Sequence, residues 1–169
     1  MNFMNINIAH YVWQNTDGFA HWQNSLFDIF SKTVEKVYDG KRKFLIDILL
    51  TDDKNIQELN KTFRSKNTST NVMSFPQYES EDIRLIDEIH KGRNVMLGDI
   101  AMSYENIMRE SKKFNFNFFD RCSHLFVHGV LHLFGMDHIN LESESKMERL
   151  EIEILEGFGM RNPYILNGE

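Results

Sequence analysis

The sequence predicts an α+β fold in one domain, a small mixed β-sheet packed with helices. Three observations lead there. Apolar or alternating runs at 4–10, 44–50, 72–75 and 95–102 have the length and period of strands. Longer segments at 18–38, 103–113, 118–134 and 141–157 read as helices, the first with apolar residues at clear helical spacing. The two kinds are interleaved without the regular βαβ alternation of a doubly wound sheet. At 169 residues one core can bury most of the apolar surface. Two prolines and nine glycines leave little composition for a long linker, so residues 1–169 are read as a single domain.

The strand at 4–10 (MNINIAH) alternates apolar and polar residues. The helix at 18–38 carries Phe19, Trp22, Leu26, Ile29, Phe30, Val34 and Val37 on one face and closes near Gly40. Residues 44–50 (FLIDILL) are apolar enough for a central strand. Thr51 or Asp52 can cap a short helix reaching about Phe63. The polar loop RSKNTSTN then leads to the strand VMSF, stopped by Pro76. Residues 77–94 are acidic and irregular, with a turn or two of helix in IRLIDEIH, and read as a surface insertion. Residues 95–102 (VMLGDIAM) form another strand, after which Ser103 can cap a helix to about Lys113. In the helix at 118–134, Leu125, Val127, Leu131, Leu133 and Phe134 crowd several faces, which predicts burial. The last helix, 141–157, is expected to turn Leu150, Ile154 and Phe158 inward and its acids outward, ending at Gly157 and Gly159.

Composition narrows the function classes. Apolar residues make up 41% and charged residues 26%, as in ordinary globular domains. No uncharged apolar run reaches the length of a membrane span; residues 125–136 come nearest and include His128 and His132. The start, MNFMNINIAHYVWQN, lacks the basic and apolar regions of a secretory signal. A cytoplasmic protein with no membrane partner is expected. One cysteine, Cys122, excludes an intrachain disulfide and fits a reducing compartment. It is either a nucleophile near His124 or, more plainly, a small buried helix residue.

The net charge of −6 argues against a polyanionic partner for the chain as a whole. The charge is segregated, however. Residues 141–156 hold six acids against Lys146 and Arg149, and residues 79–88 five acids against Arg84, leaving a net +2 elsewhere. Lys41-Arg42-Lys43, then Lys61, Arg64 and Lys66, then Arg109, Lys112 and Lys113 are either a small basic surface or solvated charges.

The chemistry concentrates in His128-Gly-Val-Leu-His132-Leu-Phe-Gly135-Met-Asp-His138. Four residues of helix put His128 and His132 on one face, one turn apart. Gly135 can take the left-handed conformation that ends a helix, so the chain doubles back and His138 can reach the other two. Three protein ligands with a fourth position open is the catalytic arrangement for zinc. The spacing matches the metzincin H-E-x-x-H-x-x-G-x-x-H, except that Gly129 stands in place of the glutamate. His124 shares the face, but His124 and His132 are separated by about 12 Å of helix rise, too far for one ion with bonds of about 2.0–2.1 Å. His128, His132 and His138 are therefore the preferred ligands. His124 is left as a supporting group, a substrate-side group or a packed histidine.

At this point the residues resemble a family. HGVLHLFGMDH is similar to the signature H-G-x-L-H-L-x-G-x-D-H of the YbeY endoribonucleases. LNKTFRSKNTSTNVMSFP resembles that family's segment with an arginine followed by T-D-V-L-S-F-P, LGDI at 97–100 its L-G-D-I, and GFGMRNPY its C-terminal close. The matches run in family order over roughly residues 55–164. Asn71 stands where the family has aspartate, Met73 where it has leucine, and Met136 where an aromatic is common. The resemblance implies a zincin-like α+β fold and a metal, expected to be one zinc ion, at His128, His132 and His138. It also implies cleavage of single-stranded RNA in ribosomal RNA maturation and ribosome quality control, and a functional role for Arg64.

The chemistry expected is metal-assisted phosphodiester hydrolysis, with Arg64 as a planar, bidentate donor to phosphate oxygens. No carboxylate occupies the metalloprotease position. His124, Asp137 or a ribose hydroxyl remains as the source of general-base help, and Asp137 can equally orient a histidine or cap its turn. Two other readings stand: a zinc metalloprotease-like hydrolase, and a non-catalytic ribosome-assembly factor with a structural zinc.

Overall fold

Strand β2 (Phe44–Thr51) lies inside the sheet, as its apolar run requires. Residues 2–40, 42–90 and 93–165 are described by the computed structural model. In chain order the elements are β1 (Phe3–Ile8), α1 (Phe19–Val37), β2, α2 (Asp53–Arg64), β3 (Val72–Pro76), α3 (Ser80–Arg84), α4 (Ile86–Ile89), β4 (Val95–Ser103), α5 (Tyr104–Phe114), α6 (Phe118–Leu133) and α7 (Leu141–Glu156). The sheet order is β1-β2-β4-β3. β1 and β4 run parallel to β2, and β3 pairs antiparallel with β4 at the edge, so the sheet is small and mixed. β1 ends two residues before the alternating stretch does.

Period-two alternation splits the sheet's apolar residues between two faces. Phe44, Ile46, Ile48, Leu50, Ile100 and Met102 join α1, α6 and α7 in the main core. Met73 and Ala101 point the other way and pack with Ile56 of α2. Helix α6 is sandwiched: Cys122, Leu125, Phe126, Val127, Val130, Leu131 and Leu133 are all buried. A helix apolar on most sides needs such neighbours. Cys122 is the small buried residue of the plainer reading, and burial pushes its thiol pKa well up.

Helix ends follow the sequence closely. Asp52, not Thr51, caps α2, its Oδ1 accepting from the Asn55 N–H at 2.8 Å. Ser103 stands at the N-cap of α5 but makes no cap bond, since its hydroxyl donates to Asp53 at 2.5 Å. Asn117 caps α6, and Asn140 forms a capping box with Ser143 on α7.

The segment 77–94 departs from the expected surface insertion. Ile86 is 1% exposed and belongs to the core. The Arg42 guanidinium donates to Asp87 Oδ1 at 2.6 Å and to the carbonyls of Asp87, His90 and Arg93. Apolar Ile86 and one arginine thus anchor a stretch whose acidity suggested only surface. Lys41, in the same basic group, lies outside the described residues. Among the described residues, no helix is long and apolar enough to cross a membrane.

Candidate metal centre

The site is made by the end of α6. The Met136 N–H donates to the Leu131 carbonyl at 3.1 Å and the Gly135 N–H to the His132 carbonyl at 2.9 Å. These are the two bonds of a Schellman motif, with Gly135 in the left-handed residue at φ +78°. The turn also needs a bare backbone: a Cβ on Gly135 would lie 2.8 Å from Ser80 Cα. Beyond it the chain returns and His138 meets the helix.

His128, His132 and His138 then offer one nitrogen each, all within 4.8 Å of one another. His128 Nε2 and His132 Nε2 are 3.0 Å apart. Three nitrogens around a tetrahedral zinc would stand about 3.4 Å apart for bonds of about 2.1 Å, so the donor set fits an ion with small adjustments. Among the described residues the group comprises these three histidines, which leaves a coordination position open.

Behind the three histidines lies a carboxylate. Glu151 of α7 is 0% exposed. Its Oε1 is 2.8 Å from His128 Nδ1 and its Oε2 is 2.9 Å from His124 Nε2; the Tyr164 hydroxyl also donates to Oε2. Burial pushes the Glu151 pKa up, but the hydrogen bonds from His124 and His128 prevail and hold it at about 2. Glu151 is therefore an acceptor at every contact. His128 carries its proton on Nδ1, which leaves the Nε2 lone pair facing the other histidines. Burial, with the nearby His128 and His138, holds the His132 pKa at about 4, so His132 is neutral, as a ligand must be.

The carboxylate belongs to a longer chain of bonds. Arg121 Nη1 donates to His124 Nδ1 at 2.8 Å, which places the His124 proton on Nε2, toward Glu151. Arg121 also donates through Nε and Nη2 to Glu110 Oε2, at 3.0 and 2.8 Å. The Asn71 amide donates to Glu110 Oε1 at 2.8 Å. One connected set of bonds thus runs from the start of β3 to His128.

The structure places the other expected residues as follows. His124 is 6% exposed, and burial lowers its pKa; it meets Glu151 and Arg121 rather than the three-histidine group. Arg64 ends α2, its side chain exposed, with Nη2 3.5 Å from the Ser74 carbonyl on β3. The Ser74 hydroxyl donates to the carbonyl of Gly129, the neighbour of His128, so Arg64 stands over the edge strand beside the histidine helix. Asp137 caps its turn, accepting from the Ile139 N–H at 3.3 Å. Arg109 pairs with Asp53 at 2.7 Å, and Lys113 lies over the Phe114 ring.

Gly129 serves close packing: a Cβ there would lie 3.1 Å from Ile100 Cδ1 and 3.2 Å from Ser74 Oγ, against the sheet. One expectation changes. Glu151 was expected to face outward with the other acids of α7. The signal that identifies it is its spacing: it stands four residues after Met147 and four before Leu155, both buried, so it sits in the apolar stripe. Arg121 stands three residues before His124 on α6, a helical spacing that can pair them, whereas Glu110 and Tyr164 carry no comparable local sign, because they reach Arg121 and Glu151 from other elements.

The family described as Endoribonuclease YbeY matches residues 11–159. A protein of Parvibaculum lavamentivorans named "Endoribonuclease YbeY" is 38% identical over 146 residues, 85% of this chain and 79% of its own. One of the same name from Agrobacterium fabrum is 35% identical over 155 residues, 90% and 88% of the two chains. A solution structure of a Thermotoga maritima protein matches with a TM-score of 0.58 at 20% identity, covering 92% of this chain and 91% of that one, a likeness of fold.

Proposed function

The chain belongs to the Endoribonuclease YbeY family, and from that premise we propose that it is a zinc-dependent, single-strand-specific endoribonuclease acting in the cytoplasm in ribosomal RNA maturation and ribosome quality control. The observation that carries the reading is the meeting of three histidine nitrogens within 4.8 Å, one of them fixed by a buried carboxylate. His128, His132 and His138 would hold the ion. When bound, zinc supplies Lewis acidity, polarising a phosphoryl oxygen or acidifying a water.

The chain's own groups do the rest. The Arg64 guanidinium, exposed over the edge strand, binds the oxygens of the reacting phosphate and offsets the charge that gathers there. Glu151 keeps the His128 tautomer that points a lone pair inward. His124 acts through Glu151, adding a donor that keeps this carboxylate charged and oriented. Ribosomal RNA, presented single-stranded on the ribosome, is the partner.

The protease reading loses ground on a specific observation: where its glutamate would stand, the helix lies against Ile100 and Ser74. A purely structural zinc would call for a fourth protein ligand, whereas the group among the described residues has three. The deciding experiment incubates zinc-loaded protein with single-stranded RNA, structured RNA and unfolded casein. Cleavage of the single strand alone is expected. Casein cleavage selects the protease, and tight ribosome binding without cleavage selects the assembly factor.

A further inference from the structure

A cleft of about 410 Å³ opens beside His128 and runs back along α6, within the size range of small-molecule sites. Its walls come from the start of β3, the turn between α5 and α6, α6 itself and the C-terminal segment. Phe114, Phe116, Leu125 and Pro163 supply apolar and aromatic surface, and Asn71, Arg121, His124 and Tyr164 the polar part. The polar groups are engaged with the protein. The Asn71 amide nitrogen goes to Glu110, and its oxygen accepts from the Val72 N–H. Arg121 goes to Glu110 and His124, both His124 nitrogens are bonded, and Tyr164 donates to Glu151. The Phe116 ring has two guanidinium neighbours, the Arg161 carbon 4.2 Å and the Arg121 carbon 5.9 Å from its centre.

We propose that this cleft is a base-stacking subsite, taking the base of a nucleotide next to the scissile phosphate against Phe116 and accepting all four bases. This rests on the ribonuclease reading above and deepens it. His128 both lines the cleft and belongs to the metal group, so a base lodged there lies beside a phosphate held at the histidines. Every base has a π-face to stack, whereas each polar group of the wall already holds a protein partner that fixes it and leaves it fewer donors for a base edge. A base must leave its helix to enter, which an unpaired strand permits and a duplex resists. Selection for single strands without selection for sequence follows from the same walls.

The test uses zinc-loaded protein and a single-stranded RNA oligonucleotide cut at one mapped position, with abasic residues placed in turn at the nucleotides flanking that position. One abasic position should raise KM about 5- to 150-fold, the range that one base–aromatic stack supports, while exchange among the four bases there changes KM only a few-fold. Phe116→Ala should raise KM similarly with metal content retained, and the abasic penalty should vanish in that variant. Phe116→Leu keeps apolar bulk but no π-face and should behave like Phe116→Ala; Phe116→Trp should restore binding. Fluorescence anisotropy of the same oligonucleotides carries the same comparisons if the protein binds but does not cut. Parent-like KM in Phe116→Ala and Phe116→Leu, or an abasic penalty unchanged in both, overturns the subsite while leaving the nuclease reading intact. A parent that neither binds nor cuts single-stranded RNA overturns both.

Discussion

Replacing Glu151 with glutamine keeps the shape of the side chain and removes its charge. Three donors converge on the native carboxylate: His124 Nε2–H, His128 Nδ1–H and the Tyr164 hydroxyl. A glutamine offers one acceptor oxygen, and its amide presents N–H groups to at least one of those donors. If the amide faces His128, the histidine must shift its proton to Nε2 to accept from it, which occupies the nitrogen that faces His132 at 3.0 Å. If the amide faces His124, the loss falls on the support of the carboxylate's partner. Loss of an outer hydrogen-bond partner typically lowers metal affinity about 10–100-fold, and that is the expected loss for Glu151→Gln. A buried donor left without a partner costs about 1–3 kcal/mol, so the metal-free variant should melt a few degrees lower while remaining folded at 25 °C. The pH dependence has a definite sign. The Glu151 pKa is lowered to about 2 from 4.5, so its contribution to stability is present above about pH 4.5 and is lost as pH falls toward 2. In Glu151→Gln this acid-side loss should be absent from the metal-free protein. The assay is chelator-competition titration with zinc, beside thermal unfolding of metal-free protein across pH 2–6. A folded Glu151→Gln protein that binds zinc within two-fold of the parent would refute the reasoning.

Other outcomes are as definite. His128→Ala, His132→Ala or His138→Ala should each strip most of the metal, whereas His124→Ala should retain it with weakened affinity; elemental analysis decides, and full metal in His138→Ala would end the three-ligand assignment. Arg64→Ala should leave metal content and melting temperature unchanged, because its side chain is exposed, yet slow single-turnover RNA cleavage about 10²–10³-fold. Arg64→Lys should recover little, since an ammonium lacks the planar fork; cleavage by Arg64→Ala within a few-fold of the parent returns it to an ordinary surface charge. Gly129→Glu should be strongly destabilised in denaturant unfolding, because its Cβ already meets Ile100 and Ser74 at 3.1–3.2 Å; parent-like stability would show that the sheet yields there. Gly135→Val should lose both stability and metal content, given φ +78° and Ser80 at 2.8 Å.

Much of the molecule is determined locally, and what is local can be read from the chain alone. Helix α1 falls within a residue of its apolar period, and α2 is capped at one of two proposed residues because a cap bond spans only three residues, Asp52 to Asn55. The meeting of His128, His132 and His138 is local in the same sense. One turn of helix and one left-handed glycine bring them together within eleven residues, so spacing alone states the geometry. What spacing could not state is anything that depends on partners far away in the chain. Glu151 is 23 residues from His128 and 27 from His124. Only the packing of α7 on α6 turns it from one acid among six into the carboxylate behind the histidine group. Gly129 is explained by Ser74, 55 residues earlier, and the anchoring of 77–94 by Arg42, more than forty residues before Asp87. The cleft beside His128 takes its walls from three separate parts of the chain: the start of β3, the stretch through the α5–α6 turn into α6, and the C-terminal segment. Short-range hydrogen bonds and turns made the meeting of the three histidines legible from the chain alone; the groups that hold, tune and enclose them are fixed by tertiary packing, because a buried charge finds its partners only once the elements carrying them have docked.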